Sequence, residues 1–201
     1  METLLMIAEA VARALDNYLR SHTSLQWQGN YLTPPCKAAV MLALFPQNGS
    51  WYLPFIVRNH YQGVHSGQVA FPGGKCDLQD ADAIDTAIRE TYEETGLLVN
   101  RSQVVGQLHE VYIPPSNSLV VPVVAVLAHA PHFVPNPKEV AEIFWLSVSY
   151  LRRRDIRGSK EVTLPDGRKV PYTTFQANGK EIWGATARML SELLTVLERV
   201  L

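Results

Sequence analysis

The stretch Arg89-Glu90-Thr91-Tyr92-Glu93-Glu94-Thr95-Gly96-Leu97 decides how the rest of the chain is read. The spacing predicts a helix from about Asp82 to Thr95. At about 100° per residue, with Arg89 at zero, Glu93 falls near 40°, Glu90 near 100° and Glu94 near 140°. Ile84, Ala87, Ile88, Thr91, Tyr92 and Thr95 fall on the opposite arc, roughly 160–300°. One face is therefore expected to pack on a core, while the other gathers three carboxylates and an arginine.

Like charges at these spacings repel by a few tenths of a kcal/mol per pair. A hard divalent cation such as Mg2+ takes oxygen ligands and would offset that repulsion. It would also bridge and polarise substrate phosphates. Arg89 can pair with one carboxylate and orient it. Taken alone, the glutamates read first as a solvated acidic helix face. The flanking residues change that balance. Gly73-Gly74 allows a tight turn and close ligand approach, Gly96 sits where a left-handed cap belongs, and Asp77, Asp80 and Asp82 stand at the helix entrance as caps.

Working outward, Gly67-Gln68-Val69-Ala70-Phe71 leads into the break Pro72-Gly73-Gly74. Residues 1–21 repeat apolar side chains at helical spacing, and residues 22–36 read as a connecting loop ending in Pro34-Pro35. Lys37–Phe45 reads as a buried strand and Trp51–Arg58 as a second, with Pro54 marking an edge or bulge. Further strands are expected over Val104–Ile113, Ser118–Ala130 and within Lys138–Val148, with a short helix over Ser149–Arg154. Pro165-Asp166-Gly167 separates the strands Glu161–Leu164 and Lys169–Phe175 of a hairpin. Gly184–Leu201 is a strongly amphipathic final helix. This order gives an α+β domain over 36–201, preceded by an N-terminal helix and loop over 1–35.

Composition narrows the function. The chain has 201 residues, 47% of them hydrophobic, which suffices for a core without disulfides. A net charge of −1 argues against non-specific nucleic-acid binding but leaves room for a small phosphate-bearing ligand. Cys36 and Cys76 match no zinc spacing and read as free thiols in a reducing compartment. No signal sequence is evident, and no uncharged apolar run reaches the roughly 20 residues of a membrane span. A soluble, cytoplasmic protein is expected.

Gly74, Asp80, Arg89-Glu90, Glu93-Glu94, Gly96 and Leu97 together resemble the Nudix box. Asp80 stands where that box carries Glu, eight residues rather than seven precede the Arg-Glu pair, and Thr91 replaces an aliphatic residue. Upstream, Gly67 to Lys75 resembles the Nudix subgroup that hydrolyses coenzyme A, in which the longer spacing is typical. Gly63 occupies a position where that subgroup has arginine. Tyr112–Val124, Glu139–Trp145 and Ile182–Arg188 extend the likeness over roughly residues 36–200.

The resemblance implies an α/β/α sandwich around a mixed sheet, with added N- and C-terminal helices. It implies Mg2+- or Mn2+-dependent cleavage of a nucleoside diphosphate linked to another moiety, most simply coenzyme A or a derivative. Glu90, Glu94 and Glu93 would bind metal beside the Gly74 backbone, with Arg89 orienting them. One of these glutamates, or Glu139 or Glu142 outside the helix, would act as general base, although Glu139 and Glu142 read first as surface carboxylates. Gly73, Lys75, Arg58 and His65 are the candidate substrate contacts. The other histidines are scattered. Tyr172 and Trp183 read as core rather than as a pocket wall, and Arg152-Arg153-Arg154 reads as a solvated patch. Two other readings stay open: a Nudix hydrolase for ADP-ribose or dinucleotides, and a catalytically silent nucleotide-binding domain. A homodimer through the apolar terminal helices is a further expectation.

Overall fold

Cys36–Gln47 is apolar without alternation because both of its faces are buried. In the computed structural model, which describes residues 2–22, 33–60, 62–63, 65–163, 167 and 169–201, this segment is the central strand β1. Ala39, Met41, Ala43 and Phe45 point to one side, where they meet Ala87, Leu97 and Val99. Ala38, Val40, Leu42 and Leu44 point to the other, where they meet Val11, Leu15, Leu190 and Leu193. The period of two along a strand thus divides a continuous apolar run between two cores.

The remaining elements are α1 (Glu2–Ser21), β2 (Ser50–Arg58), β3 (Val69–Ala70), β4 (Gly73–Lys75), α2 (Ala83–Thr95), β5 (Val104–Gln107), β6 (Val111–Ile113), β7 (Ser118–Val126), β8 (Val140–Ser147), α3 (Val148–Leu151), β9 (Arg157–Thr163), β10 (Lys169–Ala177), β11 (Lys180–Ile182) and α4 (Gly184–Leu197). The main sheet runs β3-β2-β1-β7-β5, with β4 on β1, β6 on β7 and β8 on β2. The β1–β7 pair is parallel and its other pairings are antiparallel, so the sheet is mixed. Helix α2 covers one face, and α1 and α4 cover the other. This is the expected α/β/α sandwich. A second sheet, β11-β10-β9, extends from it.

The terminal helices turn their apolar stripes inward. Val11, Ala14 and Leu15 of α1 are buried with Leu190, Leu193, Leu194 and Leu197 of α4. Each valine or leucine among them contributes about 1.5–3 kcal/mol by leaving water. Among the described residues, no helix is long and apolar enough to cross a membrane.

Several boundaries differ from expectation. Gly73–Lys75 does not merely break the chain: it forms β4, antiparallel to Ala38–Val40. Val104–Ile113 is two strands, because pairing with β7 shifts register between Val104 and Gly106 and stops before β6. Pro54 is in register with Trp145 of β8, and on its other side it falls between the pairings of β2 with β1 and with β3, an open edge where proline is tolerated. The last helix ends at Leu197 and not Leu201. β11 was not anticipated from the sequence. The hairpin residues Pro165 and Asp166 lie outside the described residues, and β9 and β10 pair as expected. Arg152 is not part of a solvated patch, since its Nη1 donates to the Leu201 carbonyl (2.7 Å).

Candidate active site

Helix α2 is held at both ends by its own sequence. Asp82 is the N-cap and accepts the Ile84 and Asp85 N–H groups. Arg101 pairs with Asp82 and Asp85, which holds the Asp82 carboxyl down to about 2. At the far end Gly96 is left-handed (φ 67°) and donates its N–H to Tyr92 O (2.8 Å). This fixed rod presents its carboxylates to β4.

The two glycines of β4 are required for different reasons. At Gly73 (φ 147°) an added Cβ would lie 2.3 Å from Ala39 O and 2.5 Å from Val40 Cα, both backbone atoms of β1. At Gly74 it would lie 2.3 Å from Glu90 Oε2. Gly73 therefore lets β4 approach β1, and Gly74 lets the Glu90 carboxylate approach β4.

Glu94 is 2% exposed. Its Oε2 accepts the Gly73 N–H (2.8 Å), and its Oε1 lies 3.8 Å from Arg58 Nη1. Arg58 Nη2 donates to the Gly73 carbonyl (3.1 Å), so one arginine spans both partners. Burial pushes the Glu94 carboxyl up to about 7; Arg58 and the Gly73 N–H oppose this, while Glu90 and Glu139 add to it. Burial also raises Glu90, with Arg89 opposing and Glu93 and Glu139 adding. Glu139 is thus close enough for its charge to be felt by both.

Arg89 is the organising cation. Its Nε and Nη2 donate to Asp80 Oδ1 (3.0 Å) and Oδ2 (2.8 Å) in a two-point pair. That pair holds Asp80 well below the usual carboxylate range. Nη1 reaches Glu90 Oε1 (2.9 Å) and Glu93 Oε2 (3.4 Å), and Nη2 also donates to Lys75 O (3.0 Å). Asp80 in the box position thus serves as the anchor of Arg89, which sets Glu90 against Gly74.

The fold brings Arg58, Gly73, Gly74, Arg89, Glu90, Glu94 and Glu139 together. Four candidates stand apart. Glu93 is at the rim, with its side chain 49% exposed. Lys75 is exposed, and only its carbonyl is engaged. His65 is tied to Gln68 Oε1 (3.0 Å) within its own turn. Glu142 pairs with Lys180 Nζ (3.0 Å). The wheel also misplaced two residues. Tyr92 is 56% exposed rather than packed, and Glu94 is buried rather than facing out. Glu94 sits at the border of the apolar arc, and β4 closes over it. Tyr172 and Trp183 are not core: the rings lie 6.2 Å apart and Trp183 is 42% exposed.

One segment escaped sequence reasoning. The Asn136 N–H donates to Glu94 O (2.9 Å) and the Glu139 N–H to Asn136 O (3.1 Å), tying the Glu139 turn to α2. The signal was the dipeptide Asn136-Pro137, a turn marker. Arg58, Asn59, His60, Lys138 and Glu139 line an open cleft of ≈ 580 Å³ beside the carboxylates.

The donor set fits a hard divalent cation: carboxylate oxygens whose charged form is disfavoured by burial, against a glycine backbone that leaves room for them. Among the described residues, no three His, Cys, Asp or Glu side chains are grouped so that they could hold a metal ion by themselves. An open arrangement of this kind suits a cation shared with substrate phosphates.

Comparison with known proteins identifies the family. The NUDIX domain model matches residues 35–166. The chain is 35% identical over 166 residues to the mitochondrial coenzyme A diphosphatase NUDT8 of Homo sapiens, covering 81% of this chain and 70% of that protein. It is 37% identical over 127 residues to the peroxisomal coenzyme A diphosphatase NUDT7 of Mus musculus, covering 63% and 53%. In three dimensions it matches a MutT/nudix family protein from Enterococcus faecalis with a TM-score of 0.58 at 18% identity, over 94% of this chain and 73% of that one, a likeness of fold. The domain match spans most of the chain and lies over the β4–α2 carboxylate site, and on that ground this protein belongs to the Nudix family of hydrolases.

Proposed function

We propose that this enzyme hydrolyses the pyrophosphate linkage of coenzyme A or a close derivative, releasing 3′,5′-ADP and 4′-phosphopantetheine. The observation that carries the chemistry is the seating of Glu90 and Glu94 against the Gly73–Gly74 backbone. The substrate is supported by the names of the relatives and by the Gly67–Lys75 stretch.

In this reading Glu90 and Glu94 hold Mg2+ or Mn2+, with Glu93 at the rim and the Gly74 backbone alongside. The bound cation supplies Lewis acidity toward water and phosphate oxygens. Arg89 keeps Glu90 oriented, and Asp80 keeps Arg89 oriented. Arg58 holds the Glu94 carboxylate and the Gly73 carbonyl in register, a positioning role beside any substrate contact. Glu139, felt electrostatically by both buried glutamates, accepts the proton of the attacking water. Gly73 and Lys75 border the phosphate site, and His65 shapes the preceding turn. Residues 36–201 form the catalytic domain, and 1–35 an accessory segment. A cytoplasmic location and a homodimer complete the proposal, to be checked by fractionation and by sedimentation; the dimer would use a surface other than the apolar stripes of the terminal helices, which pack inward.

The test is product analysis by mass spectrometry after incubation with Mg2+ and a panel of coenzyme A, ADP-ribose and dinucleoside polyphosphates. The expected products are 3′,5′-ADP and 4′-phosphopantetheine. Turnover of another compound with coenzyme A untouched would discard the substrate. No turnover with either metal would leave a silent binding domain.

A further inference from the structure

The cleft beside the carboxylates contains two donor groups without an assigned role, His60 and Lys138. Among the described residues neither the His60 ring nor the Lys138 ammonium has a hydrogen-bond or ion-pair partner. The neighbouring cations are committed elsewhere. Arg58 serves Glu94 and the Gly73 carbonyl, and Arg89 serves Asp80, Glu90, Glu93 and the Lys75 carbonyl.

Both groups stand on a braced backbone. The Asn59 N–H donates to the Glu139 carbonyl (3.0 Å), and Asn59 Nδ2 donates to the Pro137 carbonyl (2.9 Å). The segment directly after β2, which carries His60, is thereby stitched to the turn that carries Lys138. The Lys138 N–H donates to Asn136 Oδ1 (3.1 Å), and Asn136 is itself bonded to the last turn of α2. The His60 ring rests on Gly67, where an added Cβ would lie 2.6 Å from its Cε1 and 3.0 Å from its Nδ1. The glycine that opens the Gly67–Lys75 stretch thus makes room for His60.

A pyrophosphate ester entering this cleft meets the negative field of Glu90, Glu94 and Glu139. Phosphate charge that a cation among those carboxylates does not neutralise needs donors on the adjoining wall. An imidazole and an ammonium suit phosphate oxygens, the lysine as a point charge. We propose that His60 and Lys138 form a two-point phosphate clamp, joined through Asn59, that sets the affinity and phosphate specificity of the cleft. The clamp rests on the pyrophosphatase reading above and deepens it.

The test compares wild type with His60→Ala, Lys138→Met and the double variant. Steady-state kinetics are run on coenzyme A and on its 3′-dephospho form, and isothermal titration uses 3′,5′-ADP. Each single variant is expected to raise KM about tenfold, the worth of one charge-assisted hydrogen bond, with kcat and melting temperature held. A rise confined to coenzyme A supports a clamp on the ribose 3′-phosphate. A rise on both substrates supports a clamp on the pyrophosphate. Unchanged KM on both substrates and unchanged 3′,5′-ADP affinity in the double variant overturn the clamp. If wild type cleaves neither substrate, the substrate reading fails on its own and the titration decides the clamp: weaker binding in the double variant upholds it, while equal binding, or none by wild type, overturns it.

Discussion

The two ends of α2 carry the same kind of side chain in opposite electrostatic states. At the entrance, Asp80 and Asp82 are matched by Arg89 and Arg101, and both carboxyls sit below their ordinary range. Toward the exit, Glu90 and Glu94 are pushed up by burial, and their arginine neighbours only partly offset it. The entrance carboxylates have the partners they need within the fold. Those at the exit are stored in a state that an added cation would relieve. A carboxylate therefore reads as structural or functional from its burial and partners, not from its residue type.

The sharpest way to break this contrast is Glu94→Gln, which keeps volume and an acceptor for the Gly73 N–H but removes the charge. We expect kcat to fall by at least about a hundredfold, beyond what loss of an outer-shell partner costs, with the fold retained. Rate assays with circular dichroism check this, and a wild-type rate would remove Glu94 from the mechanism.

The two glycines separate fold from site. Gly73→Ala drives a Cβ into the β1 backbone at a positive φ and is expected to cost about 2–4 kcal/mol of stability. Gly74→Ala meets only the movable end of Glu90. It should reduce turnover about tenfold, equivalent to about 1.4 kcal/mol on the barrier, with a much smaller stability loss. Urea melts and kinetics on both variants check the pair; equal stability losses would deny the distinction.

At the entrance, Asp82→Ala should cost about 1 kcal/mol, the usual worth of a helix N-cap, and leave kcat unchanged. The pH dependence follows from its sign. The folded carboxyl, held at about 2 by Arg101 and the helix N–H groups, lies below the ordinary aspartate value of 3.8. Its contribution is complete above 3.8 and is lost as pH falls toward about 2. The variant's stability deficit should shrink over that window in acid titrations followed by fluorescence.

The smallest effect is expected at Thr91. It is fully buried, and its Oγ1 has no hydrogen-bond partner among the described residues. Thr91→Val keeps the shape and removes an unsatisfied polar atom, so it should be neutral or stabilising by up to about 1 kcal/mol in denaturant melts.

Much of the fold was legible because its signals are local. β1 announces itself as an apolar run, α1 and α4 as stripes at helical spacing, and α2 by Asp82 and Gly96 at its ends. What local signals missed was long-range pairing. β4 exists because Gly73 and Gly74 find Val40 and Ala39, and nothing within Gly73–Lys75 encodes a strand. Tyr92 and Glu94 exchanged their expected environments for the same reason: a wheel assigns an arc, but the neighbour across the arc decides which residue is covered.

The candidate site divides the same way. The Glu90–Glu93–Glu94 cluster, Arg89 and the two glycines were readable because helical spacing and glycine chemistry are properties of the chain itself. Seating Glu94 beneath Arg58, anchoring Arg89 on Asp80 and bringing Glu139 and Lys138 to the cleft through Asn59 and Asn136 required the closed structure. The sequence by itself determined which chemical groups are available and that α2 carries them on neighbouring arcs. Only the tertiary structure decided which carboxylates are buried and which are paired, because desolvation and charge pairing depend on residues distant in the chain that folding brings within a few ångströms.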